Sequence, residues 1–237
     1  MILVCAATRS EAAACRRGIA DAGAAGFEVL TTGVGLARAA TALRRRLRDG
    51  VAGRSSSLEP TLVVSSGFAG TPSAEIEQLT WITASSVHRL VDGRTQPVDV
   101  PRGLLHLAGG ATVCHVVSAD HVVPGDACGM PHPAAVDMES AALAEVAAAA
   151  AIPFSVLRLV TDTPARPLAS LGRTLAAALA ADGLAGRVAQ GSRAALELAR
   201  SPAGTIAFVR ESLTWCERLR DGWRDHARRG VPSSPAE

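Results

Sequence analysis

Phe154-Ser155-Val156-Leu157-Arg158-Leu159-Val160-Thr161-Asp162 is a short apolar run interrupted by one arginine and closed by two polar residues. Its length and its start after Pro153 predict a strand over 154–160. Such a strand delivers Thr161 and Asp162 at its carboxyl end, where open α/β sheets place their ligand crevices. Upstream stands Ala135-Val136-Asp137-Met138-Glu139-Ser140-Ala141-Ala142, which runs into an alanine-rich stretch that predicts a helix over 138–151. Asp137 and Glu139 therefore sit at a helix mouth, where carboxylates suit the helix dipole and can accept hydrogen bonds from a polyol.

Outward from this pair, short aliphatic runs alternate with alanine- and arginine-rich helical stretches. That is the pattern of crossover connections in a largely parallel or mixed sheet, so the fold class is α/β. Strands are predicted at 2–6, 27–32, 61–66, 79–84, 112–118 and 154–160. Helices are predicted at 10–24, 36–49, 138–151, 167–182, 187–200 and 203–229. Residues 53–60 and 124–133 read as loops, the first rich in serine and the second in glycine and proline. After about residue 166 only helices remain, one opened by Ser201-Pro202 and stopped by Gly230. Trp215, Leu219 and Trp223 recur at i, i+4 and i+8, a face to be buried. Packing on its own domain is the expectation; a second subunit or a hydrophobic ligand are the other occupants.

At 237 residues the chain is long enough for one large α/β domain and cramped for a second. Its 48% hydrophobic and 19% charged content fits a globular protein, and a formal charge of +2 is too small to make nucleic acid the main partner. The five cysteines, Cys5, Cys15, Cys114, Cys128 and Cys216, are odd in number and lack a CxxC pair, which fits a reduced, cytoplasmic compartment. The apolar opening, 1–7, lacks a basic leader and reads as a buried strand. The small-residue stretch at 141–152 carries Glu145 and is too short to span a membrane.

Three glycine and acid motifs bear on chemistry. Thr32-Gly33-Val34-Gly35 resembles the start of a dinucleotide fingerprint, but Arg38 stands at its third glycine position, so the reading reduces to a tight turn. Ser65-Ser66-Gly67-Phe68-Ala69-Gly70 lacks the spacing of a hydrolase nucleophile elbow; its glycines let backbone approach a flat ligand, or simply make a turn. Glu11 follows the first strand, where a first-turn helix carboxylate is common. The histidines, His88, His106, His115, His121, His132 and His226, show no ligand spacing, so no metal is expected.

In this order the motifs are familiar. Gly33-Val34-Gly35, the Ser66 to Gly70 segment, Val136 to Ala142 and Arg158 to Asp162 resemble the nucleoside phosphorylase and nucleosidase superfamily over residues 1–183. Within it the chain looks most like the nucleosidase branch: methylthioadenosine and adenosylhomocysteine nucleosidases, futalosine hydrolases and hopanoid-associated nucleoside-cleaving proteins, with a slight preference for the last. The resemblance implies a three-layer α/β/α fold with a mixed central sheet. It implies a catalytic domain at 1–183 and a helical C-terminal extension at 184–237 packed on or beside it. It further implies hydrolysis of the N-glycosidic bond of a purine nucleoside of adenosine type, modified at the 5′ carbon.

By that likeness Asp162 is the acid at N7 of the base, held protonated by burial and nearby carboxylates, with Thr161 orienting it. Glu139 accepts hydrogen bonds from the ribose hydroxyls, Met138 packs on the sugar face, and Asp137 is a neighbouring acid. Glu11 activates water beside Arg158. Phe68, Ala69 and Gly70 border the base, and Val122 and Val123 cover it. Phe68 stands where relatives often carry a serine, and Val122 where many carry an aromatic residue. No phosphate-binding arginine pattern is visible near Gly33 or Gly67, which favours water as nucleophile. A phosphate-dependent phosphorylase and an inactive nucleoside-binding module stay open. The likeness implies no cofactor, a small-molecule nucleoside substrate and a homodimer.

Overall fold

In the computed structural model, which describes residues 1–51, 58–100, 110–121, 129–180, 196 and 200–229, the sheet grows from β1 (Ile2–Ala6), a strand buried at every residue. Parallel to it on its two sides lie β2 (Phe27–Thr31) and β3 (Leu62–Gly70). β4 (Trp81–Val91) carries β5 (Arg94–Pro97) as an antiparallel hairpin arm and β6 (Thr112–Ser118) as a parallel neighbour. β7 (Ala134–Asp137) runs parallel to β6 and meets β3 at Gly70 opposite Val136. β8 (Phe154–Asp162) runs parallel to β3 and antiparallel to β4. The pairings β3–β8–β4–β6–β7–β3 thus close a five-strand ring within the mixed sheet.

Both faces are covered by helices. α2 (Leu36–Val51) and α3 (Ser140–Ala149) lay Leu36, Leu43, Leu143 and Val146 on Val63, Val116, Phe154 and Val156. α1 (Arg9–Asp21) and a long C-terminal helix, Pro202–Arg229, lay Ile19, Leu219 and Trp223 on Ile2, Val4, Val64 and Leu157. Another helix, α4 (Ser170–Ala180), packs beside the long one, which is α5. The result is the expected three-layer α/β/α architecture. Among the described residues no helix is long and apolar enough to cross a membrane.

The helical face of Trp215, Leu219 and Trp223 is used within the chain. All three are buried, and the Trp223 indole donates to Ser66 Oγ at 2.8 Å. α5 comes close to α1 because Gly18 has no side chain: a Cβ there would collide with the Arg220 carbonyl and crowd Trp223. Burial of each large side chain in this contact is worth about 1.5–3 kcal/mol. Ser201 caps the helix, its Oγ accepting from Gly204 N at 3.3 Å just before Pro202 in the first helical position.

The structure corrects several predicted boundaries. β3 does not stop at Ser66; it continues through Gly70 because β8 runs beside it, so the glycine motif lies in a strand and not in a turn after one. β4 extends to Val91, and the pair β4–β5 was missed although Asp92-Gly93 between them, both with positive φ (49° and 74°), is a hairpin turn. β7 was also missed, its four residues being too short to show a period. The predicted helix at 187–200 falls almost entirely outside the described residues, as do Cys128, Gly230, residues 53–57 of the first predicted loop and residues 124–128 of the second. Cys5, Cys15, Cys114 and Cys216 are free thiols, and burial pushes Cys5 and Cys114 up to about 12, which leaves them chemically quiet.

Candidate active site

Arg158 organises the carboxyl ends of β3, β7 and β8. It is 1% exposed, and its guanidinium is held on several sides. Nε lies 2.7 Å from Asp137 Oδ2; Nη2 donates to Glu139 Oε2 at 3.1 Å and to Ser65 Oγ at 2.9 Å; Nη1 donates to the Phe68 carbonyl at 2.9 Å. Burial disfavours the cation, but Asp137, Glu139 and Glu11 overcome that and raise its pKa. A buried charge of this kind is tolerable only when paired and hydrogen-bonded, as it is here.

Asp137 ends β7 and caps α3. Its Oδ1 accepts from the backbone N–H groups of Glu139 and Ser140, both at 3.2 Å, and from Ser118 Oγ. Glu139 is the N-cap residue of α3, yet its side chain makes no cap bond. It reaches instead to Arg158 and to Gly35, whose N–H donates to Oε1 at 3.1 Å. The Gly33-Val34-Gly35 turn therefore serves a carboxylate and not a dinucleotide. Burial raises the Glu139 pKa to about 7, with Asp137 and Glu11 adding to the rise and Arg158 opposing it.

Glu11 enters from the first turn of α1. Thr8 and Glu11 form a capping box, in which Oε2 accepts from Thr8 N at 2.8 Å and Thr8 Oγ1 at 2.6 Å. Its other oxygen accepts from Phe68 N at 2.9 Å. Gly67, at φ 133°, makes the approach possible: a Cβ there would collide with Glu11 Oε1 and lie 3.5 Å from Arg158 Nη1. Phe68 so presents its N–H to Glu11 and its carbonyl to Arg158, while its ring meets Trp215 edge-on at 6.0 Å. The common first-turn role of Glu11 and a place in this cluster coexist.

Asp162 is separate. Opposite Ala69 and Gly70, β8 contains one extra residue, Thr161, since Ala69 pairs with Val160 and Gly70 with Asp162. Such a bulge re-aims the next side chain. The Asp162 carboxylate packs against Gly70, where any Cβ would strike it, and Oδ1 lies 3.2 Å from Thr161 Oγ1. Burial raises its pKa and the Thr161 hydrogen bond opposes the rise. The carboxylates expected to assist that shift are gathered around Arg158 instead.

Glu11, Asp137, Glu139 and Arg158 are thus brought together, with Thr161, Ala69, Gly70 and Asp162 on the adjoining ends of β3 and β8. Met138 is half-buried between Asp137 and Glu139. Val122 and Val123 lie outside the described residues. Ser65 and Ser140 were not foreseen as members of the cluster; the motif around Ser65 signalled the place, but only as a rejected nucleophile. Among the described residues no group of three His, Cys, Asp or Glu side chains could hold a metal ion. An open cleft of about 560 Å³ runs along β2 and α2, past Thr32, Arg38 and Arg45, and contains none of the clustered acids.

No protein-family model and no curated protein matches the chain. Solved structures do. A 5′-methylthioadenosine/S-adenosylhomocysteine nucleosidase from S. pneumoniae with a transition-state inhibitor matches 68% of this chain and 85% of its own, at 18% identity and a TM-score of 0.52. A futalosine hydrolase mutant from Helicobacter pylori matches 68% of this chain and 88% of its own, at 16% identity and a TM-score of 0.47. At such identities a likeness speaks to the fold alone. With its layers, its mixed sheet and the S. pneumoniae match, the chain has the fold of that nucleosidase.

Proposed function

We propose that the protein hydrolyses the N-glycosidic bond of a purine nucleoside of adenosine type carrying a modified 5′ carbon. The observation that supports this reading most is the sorting of acids around β8: three carboxylates surround Arg158, and a fourth, Asp162, stands half-buried four residues later with the Thr161 hydroxyl beside it. Sites whose titratable groups are pushed apart by their surroundings are suited to acid and base roles. Asp162, raised by burial, is the acid; Glu11, beside a guanidinium, is the base.

In this reading water attacks the anomeric carbon while the bond to the purine breaks and its electron pair leaves with the base. Asp162 delivers a proton to N7, and Glu11 takes one from the water. Positive charge that grows on the sugar is met by the Glu139 carboxylate, which also accepts from the ribose hydroxyls, with Met138 against the sugar face. Phe68, Ala69 and Gly70 present backbone to the base. Water is favoured over phosphate because the Arg158 guanidinium is already committed to Asp137 and Glu139.

Chromatographic detection of free base from methylthioadenosine, adenosylhomocysteine, inosine and futalosine, with and without phosphate, tests the reading. Release without phosphate supports it. Release only with phosphate makes the protein a phosphorylase, and binding without release makes it a nucleoside-binding module.

A further inference from the structure

The bulge at Thr161 leaves a carbonyl outside the strand ladder, and a side chain has taken it. Gln78 Nε2 donates to Thr161 O at 2.7 Å. Backbone pairing continues on both sides: Leu79 N donates to Val160 O at 2.8 Å, and Thr71 N donates to Asp162 O at 2.9 Å. Thr161 is 5% exposed, so its carbonyl needs a donor that the bulge has removed. The remainder of the Gln78 amide is also committed. Its second Nε2 hydrogen faces Glu211 Oε1 at 3.3 Å, on α5, and its Oε1 accepts from Arg166 Nη1 at 3.1 Å. With a carboxylate at one end and a guanidinium at the other, only one orientation of the amide satisfies both.

We propose that Gln78 is a positioning residue for Asp162, and that α5 reaches the base-releasing chemistry through it. The proposal rests on the reading of Asp162 as the acid. The peptide plane held at Thr161 O carries the Asp162 N–H at its other end, so the Gln78 bond sets the angle at which the Asp162 side chain leaves the strand. The Thr161 hydroxyl, 3.2 Å from Asp162 Oδ1, is set by the same plane. Glu211 and Arg166 in turn fix the amide, and Glu211 ties that plane to the C-terminal helix.

Steady-state kinetics and pH profiles of the full chain and of Gln78→Ala, Gln78→Glu and Glu211→Ala test this. Both Gln78 variants are expected to lower kcat about tenfold with KM within about twofold, because misplacing an acid costs rate more than binding. Gln78→Glu also places a negative charge against the Thr161 carbonyl, one residue before Asp162, so the alkaline limb of its kcat profile moves to higher pH, while that of Gln78→Ala stays. Unchanged kcat, or a change confined to KM, overturns the role of Gln78. Glu211→Ala should lower kcat in the same direction by less; unchanged kcat there removes the part assigned to α5. If the wild type releases no base from any nucleoside, it is the reading of Asp162 that fails. Gln78 is then judged by carbon-13 NMR titration of the Asp162 carboxyl, assigned through Asp162→Asn. A displaced Asp162 carboxyl resonance in Gln78→Ala supports positioning, and an unmoved resonance overturns it.

Discussion

Arg158 and Asp162 stand four residues apart on one strand, and only Arg158 is surrounded by carboxylates. The intervening bulge at Thr161 separates their surroundings: a charged, hydrogen-bonded cluster at one, and a half-buried carboxyl beside the Thr161 hydroxyl at the other. One strand thereby carries a group kept charged and a group biased toward its neutral form.

Asp162→Asn should keep the fold and lose about 10²- to 10⁴-fold in kcat, the usual contribution of a general acid. Because burial raises the Asp162 pKa, the wild-type rate should fall as pH rises through it. Base release followed by chromatography across pH, with circular dichroism of the variant, measures both. An Asn variant with wild-type turnover would falsify the acid role.

Glu11→Gln is expected to lose activity and some stability together. Both oxygens of Glu11 accept hydrogen bonds, one from Phe68 N and the other from Thr8 N and its hydroxyl. An amide turned to accept from one must present its NH2 to the other donor, a mismatch of about 1–3 kcal/mol. Urea unfolding of the variant checks the stability, and a midpoint equal to wild type contradicts this geometry.

Glu139 makes stability depend on pH. Its folded pKa, about 7, lies above the ordinary glutamate range, so the native state binds the proton more tightly than the unfolded chain does. Stability from this group is complete below the ordinary range and is lost as pH rises through about 7. Asp162 is shifted in the same direction and adds to the slope. The urea midpoint of the wild type should therefore fall between about pH 5 and about pH 8, and fall less in Glu139→Gln. Equal slopes for the two proteins would count against the shift.

Gly18→Ala should destabilise the protein by about 1–3 kcal/mol, the usual cost of forcing atoms into a packed contact. The added methyl meets the backbone of α5 at Arg220 and Arg224, which cannot rotate away as a side chain can. Denaturant unfolding is the check; a variant as stable as wild type would mean that α1 and α5 can part without loss.

The α/β class, the alternation of elements and the place of Asp162 at a strand end were legible because Phe154 to Val160 and the alanine-rich helices are locally distinct. Asp137 and Glu139 were legible for the same reason, at a junction of two element types. The closure of the ring was not. β7 has four residues and β5 four, too few for a period to emerge, although Asp92-Gly93 did mark the second. The extra residue at Thr161 exists only relative to β3, a partner about ninety positions away in sequence. The same distance hid Ser65 and Gln78, whose partners are set by pairing and not by their neighbours.

A ring of strands constrains change in the chain as well as shape. In an open sheet an added residue can be passed along to a free edge, but β3 and β8 are each bordered on both sides by other strands. An insertion or deletion in either would have to be absorbed by every member of the circuit at once. Length variation among descendants of this chain should therefore collect at β2 and β5, the two ends of the strand order, while the ring keeps its residue count.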